Sequence, residues 1–186
     1  MMQLMPCKEE EMPKQSIHQK LGNGDMATLY QRTVLISEML LHEIIKPIWN
    51  TITPNGRGIQ AFLDQNIGCW GLDGFLEDCS NLRVSNGTIP FPTDFGFEDQ
   101  GHSHVCFCWG EDPELDPERP DDELCFVAIC NGMMYMSLET EIPRSDGDVT
   151  IQLPFKKGDE VDMYIFFSNE DHTDFSISLH EFMILE

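Results

Sequence analysis

His104-Val105-Cys106-Phe107-Cys108-Trp109 alternates along its length, with Val105, Phe107 and Trp109 on one face. That period of two is the mark of a strand with one face buried. Thirteen residues on, Glu123-Leu124-Cys125-Phe126-Val127-Ala128-Ile129 reads as a dense apolar strand. Further strands are expected over Met133 to Leu138, over Val149-Thr150-Ile151-Gln152-Leu153 and over Val161 to Phe167. Turns at Arg144-Ser145-Asp146-Gly147 and Lys156-Lys157-Gly158-Asp159 separate the last three. The chain closes on Ser176-Ile177-Ser178-Leu179 and Phe182-Met183-Ile184-Leu185. Upstream, Leu82-Arg83-Val84-Ser85 leads into Asn86-Gly87, a strong hairpin signal. Six or seven short strands at this spacing predict an antiparallel sandwich over residues 75–186.

Ahead of the strands the period changes. Leu29, Ile36, Leu40 and Ile44 recur at helical spacing between Met26 and Lys46, with Leu35 and Met39 beside them. Asp25 is placed to cap that amphipathic helix, and Pro47 is expected to end or kink it. A Pro54-Asn55-Gly56 turn and a second short helix through Ile59, Phe62 and Leu63, closed by Gly68, complete a helical segment over 26–74. Residues 1–25, polar and broken by Pro6, Pro13, Gly22 and Gly24, are expected to form a flexible arm.

The charge is distributed unevenly. The 186-residue chain has a net charge of -22, from 33 acids and 11 Lys and Arg. Residues 1–90 hold 10 acids and 7 bases, whereas residues 91–186 hold 23 and 4. Such acidity argues against a direct grip on nucleic-acid phosphates or on an anionic membrane. No apolar run approaches the roughly 18 residues needed to span a bilayer. The opening Met1 to Cys7 runs straight into Lys8 and three glutamates, unlike a signal peptide. A cytoplasmic or virion setting is expected. Seven cysteines at irregular spacing suit reduced, mostly buried thiols better than a disulfide framework.

The region from Leu82 onward resembles the immunoglobulin-like and fibronectin type III sandwiches. It does so through the Trp109 that ends one strand and the Asp122-Glu123-Leu124-Cys125-Phe126-Val127-Ala128 strand that follows the acidic loop. It also resembles an uncharacterised bacterial family that joins a helical N-terminal region to such a sandwich. The matching pieces are Val84-Ser85-Asn86-Gly87-Thr88-Ile89-Pro90, Phe107-Cys108-Trp109, Pro120-Asp121-Asp122-Glu123 and Arg144-Ser145-Asp146-Gly147. Gly158-Asp159-Glu160-Val161-Asp162-Met163-Tyr164 and Phe167-Ser168-Asn169-Glu170-Asp171 continue the likeness, which covers roughly 100 residues in order. The resemblance implies a mostly β fold, an antiparallel Ig/FnIII-like sandwich preceded by one or two helices. It implies no activity.

Three stretches are weighed for chemistry. His102, His104, Cys106 and Cys108 are ligand types at alternate positions, but successive ones on a strand lie about 6.5–7 Å apart. A tetrahedral zinc holds its ligands about 2.0–2.3 Å away, so one strand cannot supply all four, and Cys125 or Cys130 would have to join from a neighbour. The loop from Glu111 to Glu123 holds eight acids, including Asp112, Glu114, Asp116, Asp121 and Asp122. It lacks the glycine of a calcium loop, so a solvated loop or an acidic docking surface is expected. Gly-x-Ser-x-Gly, phosphate-binding glycine loops and His-Glu-x-x-His are absent, and His172 and His180 show no partner in the sequence.

These observations lead to the expectation of a non-enzymatic structural or interaction protein of a large assembly, without a cofactor. Its partner would be another protein or a second copy, met through the Leu29, Ile36, Leu40, Ile44 stripe and the acidic loop. The alternative is a soluble acidic inhibitor occupying a basic surface on a nucleic-acid-binding protein.

Overall fold

The computed structural model describes residues 38, 40–53, 55–71, 76–110 and 119–186. Among them, seven strands form two antiparallel sheets: β1 (Asp94–Gly101), β2 (His104–Gly110), β3 (Glu123–Cys130), β4 (Met133–Ser137), β5 (Asp148–Gln152), β6 (Glu160–Ser168) and β7 (Leu179–Ile184). The three-stranded sheet runs β1-β2-β5 and the four-stranded sheet β4-β3-β6-β7. The chain crosses between sheets from β2 to β3, β4 to β5 and β5 to β6, so the two sheets close on one another as the expected sandwich. Two helices among the described residues precede it. In α1, Leu40–Trp49 is π-helical and Asn50–Ile52 makes a last α-helical turn; α2 is Gly58–Gln65.

Each sheet face has its own reason to be apolar. Between the sheets, Val105, Phe107 and Trp109 of β2 meet Leu124, Phe126 and Ala128 of β3 and Val161, Met163, Ile165 and Phe167 of β6. The other face of β3 and β6, carrying Cys125, Val127, Ile129, Tyr164 and Phe166, is covered by Leu40, Ile44, Ile45, Ile48 and Trp49 of α1 and Phe62 of α2. Both faces of these central strands are therefore dry, which is why they read as unbroken apolar runs instead of alternating. Trp49 Nε1 donates to Val84 O at 2.8 Å, and the buried amide of Asn66 bridges Phe62 O and the Arg83 backbone. Those bonds fasten the helical layer to the chain entering the sandwich.

Several expectations are corrected. Asn86-Gly87 makes no hairpin, since neither residue has a positive φ. Gly87 is there for close approach: a Cβ would lie 2.2 Å from Phe175 O. The Asn-Gly hairpin is Asn131-Gly132, at φ 50° and 78°, joining β3 to β4. β1 was not anticipated, because Asp94-Phe95-Gly96-Phe97-Glu98-Asp99 looks like loop composition; Phe95 and Phe97 pack on the inter-sheet core and make it a strand. The two closing segments yield a single strand, β7, after an isolated bridge at Ser176. Pro47 does not end α1. In an α-helix its ring would press on the Glu43 carbonyl, and the wider π turn around it relieves that contact. The second helix stops at Asn66, ahead of Gly68. The arm over 1–25 and the Met26–Ser37 part of the first helix lie outside the described residues.

Candidate functional site

Among the described residues, three polar clusters, an open cleft and a bare apolar strip are the features that could carry function. The first cluster forms where β6 ends beside the start of β3, with Glu123 paired to Ser168. Asn169 Oδ1 accepts from the Thr173 and Asp174 amides, curling the chain so that His172, at φ 49°, returns over Ser168. Ser168 Oγ then lies 2.9 Å from His172 Nδ1, and His172 Nε2 lies 4.0 Å from Glu123 Oε2. Serine, histidine and carboxylate are thus brought together, which the sequence did not reveal. The hydroxyl is nevertheless sealed. Ser168 has no exposed surface and also receives the Cys125 thiol at 3.5 Å. Burial pushes that thiol up to about 12. A nucleophile with no path to solvent cannot meet a substrate in this arrangement.

The second cluster joins the two sheets. Arg119 grips Asp122 in a two-pronged pair at 2.5 and 2.9 Å. Arg144 lies 3.9 Å from the same carboxylate, donates to Pro90 O at 2.7 Å, and stacks its guanidinium on Phe167. Trp109 Nε1 completes the knot by donating to Arg144 O at 2.6 Å. Asp122, expected as a docking acid, is only 4% exposed and is an internal structural group. Asp121 beside it is exposed. Glu111, Asp112, Glu114 and Asp116 lie outside the described residues.

The third cluster sits on the helix-facing side of β6 and β7. His180 Nε2 meets Asp162 Oδ1 at 2.8 Å, and Tyr164 Oη donates to Cys79 O at 2.8 Å. Burial first, and then the Asp162 charge, push the Cys79 thiol up to about 11. A cysteine so placed stays protonated at neutral pH and is a poor nucleophile.

An open cleft of about 600 Å³ lies between the helical layer and the sandwich, lined by Ile52, Thr53, Gln65, Asn86, Thr88 and Asp174 among others. Burial acts to raise the Asp174 carboxyl. The Thr88 hydroxyl and amide and the Phe175 amide outweigh it and, with Arg119 near, hold the group below its ordinary range.

The remaining expected positions are scattered. Leu40 and Ile44 are fully buried against the four-stranded sheet instead of facing a partner, while Leu29 and Ile36 lie outside the described residues. His104, Cys106 and Cys108 line the outward side of β2, and His102 is in the hairpin turn before it. Among the described residues, no three His, Cys, Asp or Glu side chains converge as metal ligands. What the sequence reading passed over is the β7 strip. Phe182 and Ile184 are 50% and 55% exposed, while Met183 between them is buried in the sandwich.

No family model and no curated protein matches the chain. Among solved structures, the Clostridium perfringens spore cortex lytic enzyme SleM is similar over 50% of this chain at 17% identity, with a TM-score of 0.30. The alignment spans 27% of that enzyme's length. Among the described residues no helix is long and apolar enough to cross a membrane.

Proposed function

We propose that this chain is a non-enzymatic interaction protein, a component of a large assembly such as a phage virion or a surface appendage. The observation that carries the reading is the exposed Phe182 and Ile184 pair on an outer strand, beside a helix-covered core that buries Cys125, Val127, Ile129, Tyr164 and Phe166 of the same sheet. Apolar side chains held on a regular strand in water are characteristic of a recognition surface. The likeness to the uncharacterised bacterial family with a helical N-terminal region and a C-terminal Ig/FnIII-like sandwich fits a protein that presents loops and edges. A cytoplasmic or virion location belongs to the same proposal. Sedimentation of a native lysate through a density gradient, with the chain located by mass spectrometry, tests it. Migration with a large particle is expected; recovery only as a monomer overturns it.

A second reading is favoured by one observation, the charge of -22. Under it the chain is an acidic inhibitor covering a basic nucleic-acid-binding surface. Its complex would weaken steeply as salt shortens the screening length to about 8–10 Å near physiological strength. Salt-insensitive association counts against it.

A further inference from the structure

β7 is the last strand of its sheet, and along Leu179–Ile184 no strand among the described residues pairs with its outer edge. One step earlier, the same run of chain is already augmented. Ile89 bridges Ser176 in parallel, Ile89 N donates to Phe175 O, and Ser178 N reaches Ser85 O at 3.4 Å. The 84–89 segment thus lies beside residues 175–178 and leaves the next six residues open. Edges of this kind are usually blunted by a bulge, a proline or a covering loop. β7 has no proline over its six residues, its register against β6 is unbroken, and no strand among the described residues pairs with its outer edge.

The side chains state what such an added strand should look like. On the helix-facing side, Phe182 and Ile184 stand exposed, directly across from Asp162 and Glu160 of β6. On the other side Glu181 is half-buried and pairs across to Met163, with no cation opposite. A neighbour would therefore alternate: apolar residues beside Phe182 and Ile184, and Lys or Arg beside Glu181. A second copy of this chain is a poor fit, since it offers no Lys or Arg on β7 to meet Glu181 and would set one charge of -22 against another.

Resting on the interaction-protein reading above, we infer that β7 accepts an extended partner segment of alternating apolar and basic residues as a fifth strand of the four-stranded sheet. The test uses the full chain and a fluorescein-labelled, end-blocked peptide of alternating Val and Lys, with binding read by anisotropy. Saturable binding is expected, falling at least tenfold in F182S/I184S and several-fold in Glu181→Lys, with the melting temperature of both variants near wild type. A companion peptide of the same composition in blocked order, three Lys then three Val, should bind much more weakly. Equal affinity of F182S/I184S overturns the inference, because the contact is then charge alone. So does equal affinity for the blocked peptide, or a wild-type dimer in sedimentation that F182S/I184S dissolves. If the chain migrates with a particle yet ignores the alternating peptide, this inference fails while the interaction-protein reading stands. If it binds the peptide but joins no particle, the reverse holds.

Discussion

The two sheets are built from similar residues under different demands. In the three-stranded sheet only one face turns to the core, so β2 alternates buried with half-buried or exposed positions and β5 alternates half-buried with exposed ones. In the four-stranded sheet, seven of the eight residues of β3 are buried, as are most of β6. The difference comes from the helical layer, which converts a solvent face into a second core. A two-sheet sandwich with helices on one outer side is thus a three-layer object, and the middle layer carries the densest apolar sequence.

That contrast can be broken most severely through the cores themselves. Phe107 is fully buried between the sheets and Phe166 is fully buried under the helices. Truncating either to Ala should cost about 3–5 kcal/mol through lost transfer energy and the cavity left behind. If the three layers unfold as one unit, each variant shows a single urea transition, the same by circular dichroism and by fluorescence. Trp49 and Trp109 report one core each, so noncoincident fluorescence transitions in single-Trp variants would show that the helical layer opens on its own.

The knot of Asp122, Arg119 and Arg144 is where the sheets are tied. Trp109 belongs to β2 and Arg144 precedes β5 in the three-stranded sheet, while Asp122 precedes β3 and Phe167 belongs to β6. Asp122→Asn removes the buried carboxylate that Arg119 grips and that lies 3.9 Å from Arg144, and should cost about 3 kcal/mol in urea unfolding. Asp121→Asn, one residue away and exposed, should stay within about 0.5 kcal/mol. Equal effects would mean that Asp122 is no more internal than its neighbour.

The same contrast explains what could be read from the residues alone. Strands with one dry face announce themselves by alternation, as Val105, Phe107 and Trp109 do, and six of the seven strands were visible in this way or as apolar runs. β1 was not, because its glycines and acids outweigh two phenylalanines until Phe91 and Phe107 are known to pack on Phe95. Asn-Gly occurs four times, and composition cannot tell the hairpin at 131–132 from the close contact at 86–87, which depends on Phe175 some ninety residues away. Sites fared worse. His172 and Ser168 are four residues apart, but their meeting with Glu123 follows from strand register, and the burial of Asp122 follows from Arg144 across the sandwich. The exposed Phe182 was available in principle: three apolar residues in a row on a final strand leave at least one on the wrong side.

The edge of the four-stranded sheet offers a smaller perturbation. Asp174 is held below the usual carboxylate range near 3.9, so its bonds to Thr88 and Phe175 add stability above that range and lose it as pH falls through the lowered value. Thr88→Val should therefore destabilise by up to about 1 kcal/mol at pH 7, discounted because the site is partly solvated. The gap to wild type should narrow as pH falls below the usual carboxylate range, where Asp174 protonates in both. A gap constant from pH 7 to pH 2.5 would show that the hydroxyl acts through packing and not through the carboxylate.

The finest comparison costs no stability at all. Cys108 projects outward from β2, opposite Gly96, and is exposed. Cys125 on β3 is enclosed by Leu138 O and Ser168 Oγ, and burial pushes its thiol up to about 12. Iodoacetamide reacts with the thiolate, so at pH 8 Cys108 should be alkylated in the native protein while Cys125 is protected. In urea the two should react at comparable rates, because the protection belongs to the fold and not to the local sequence. Peptide mapping after timed quenching resolves the two sites. Native alkylation of Cys125 at the rate of Cys108 would mean that the middle layer opens without global unfolding, and the helices would then be a removable cover over the sheet.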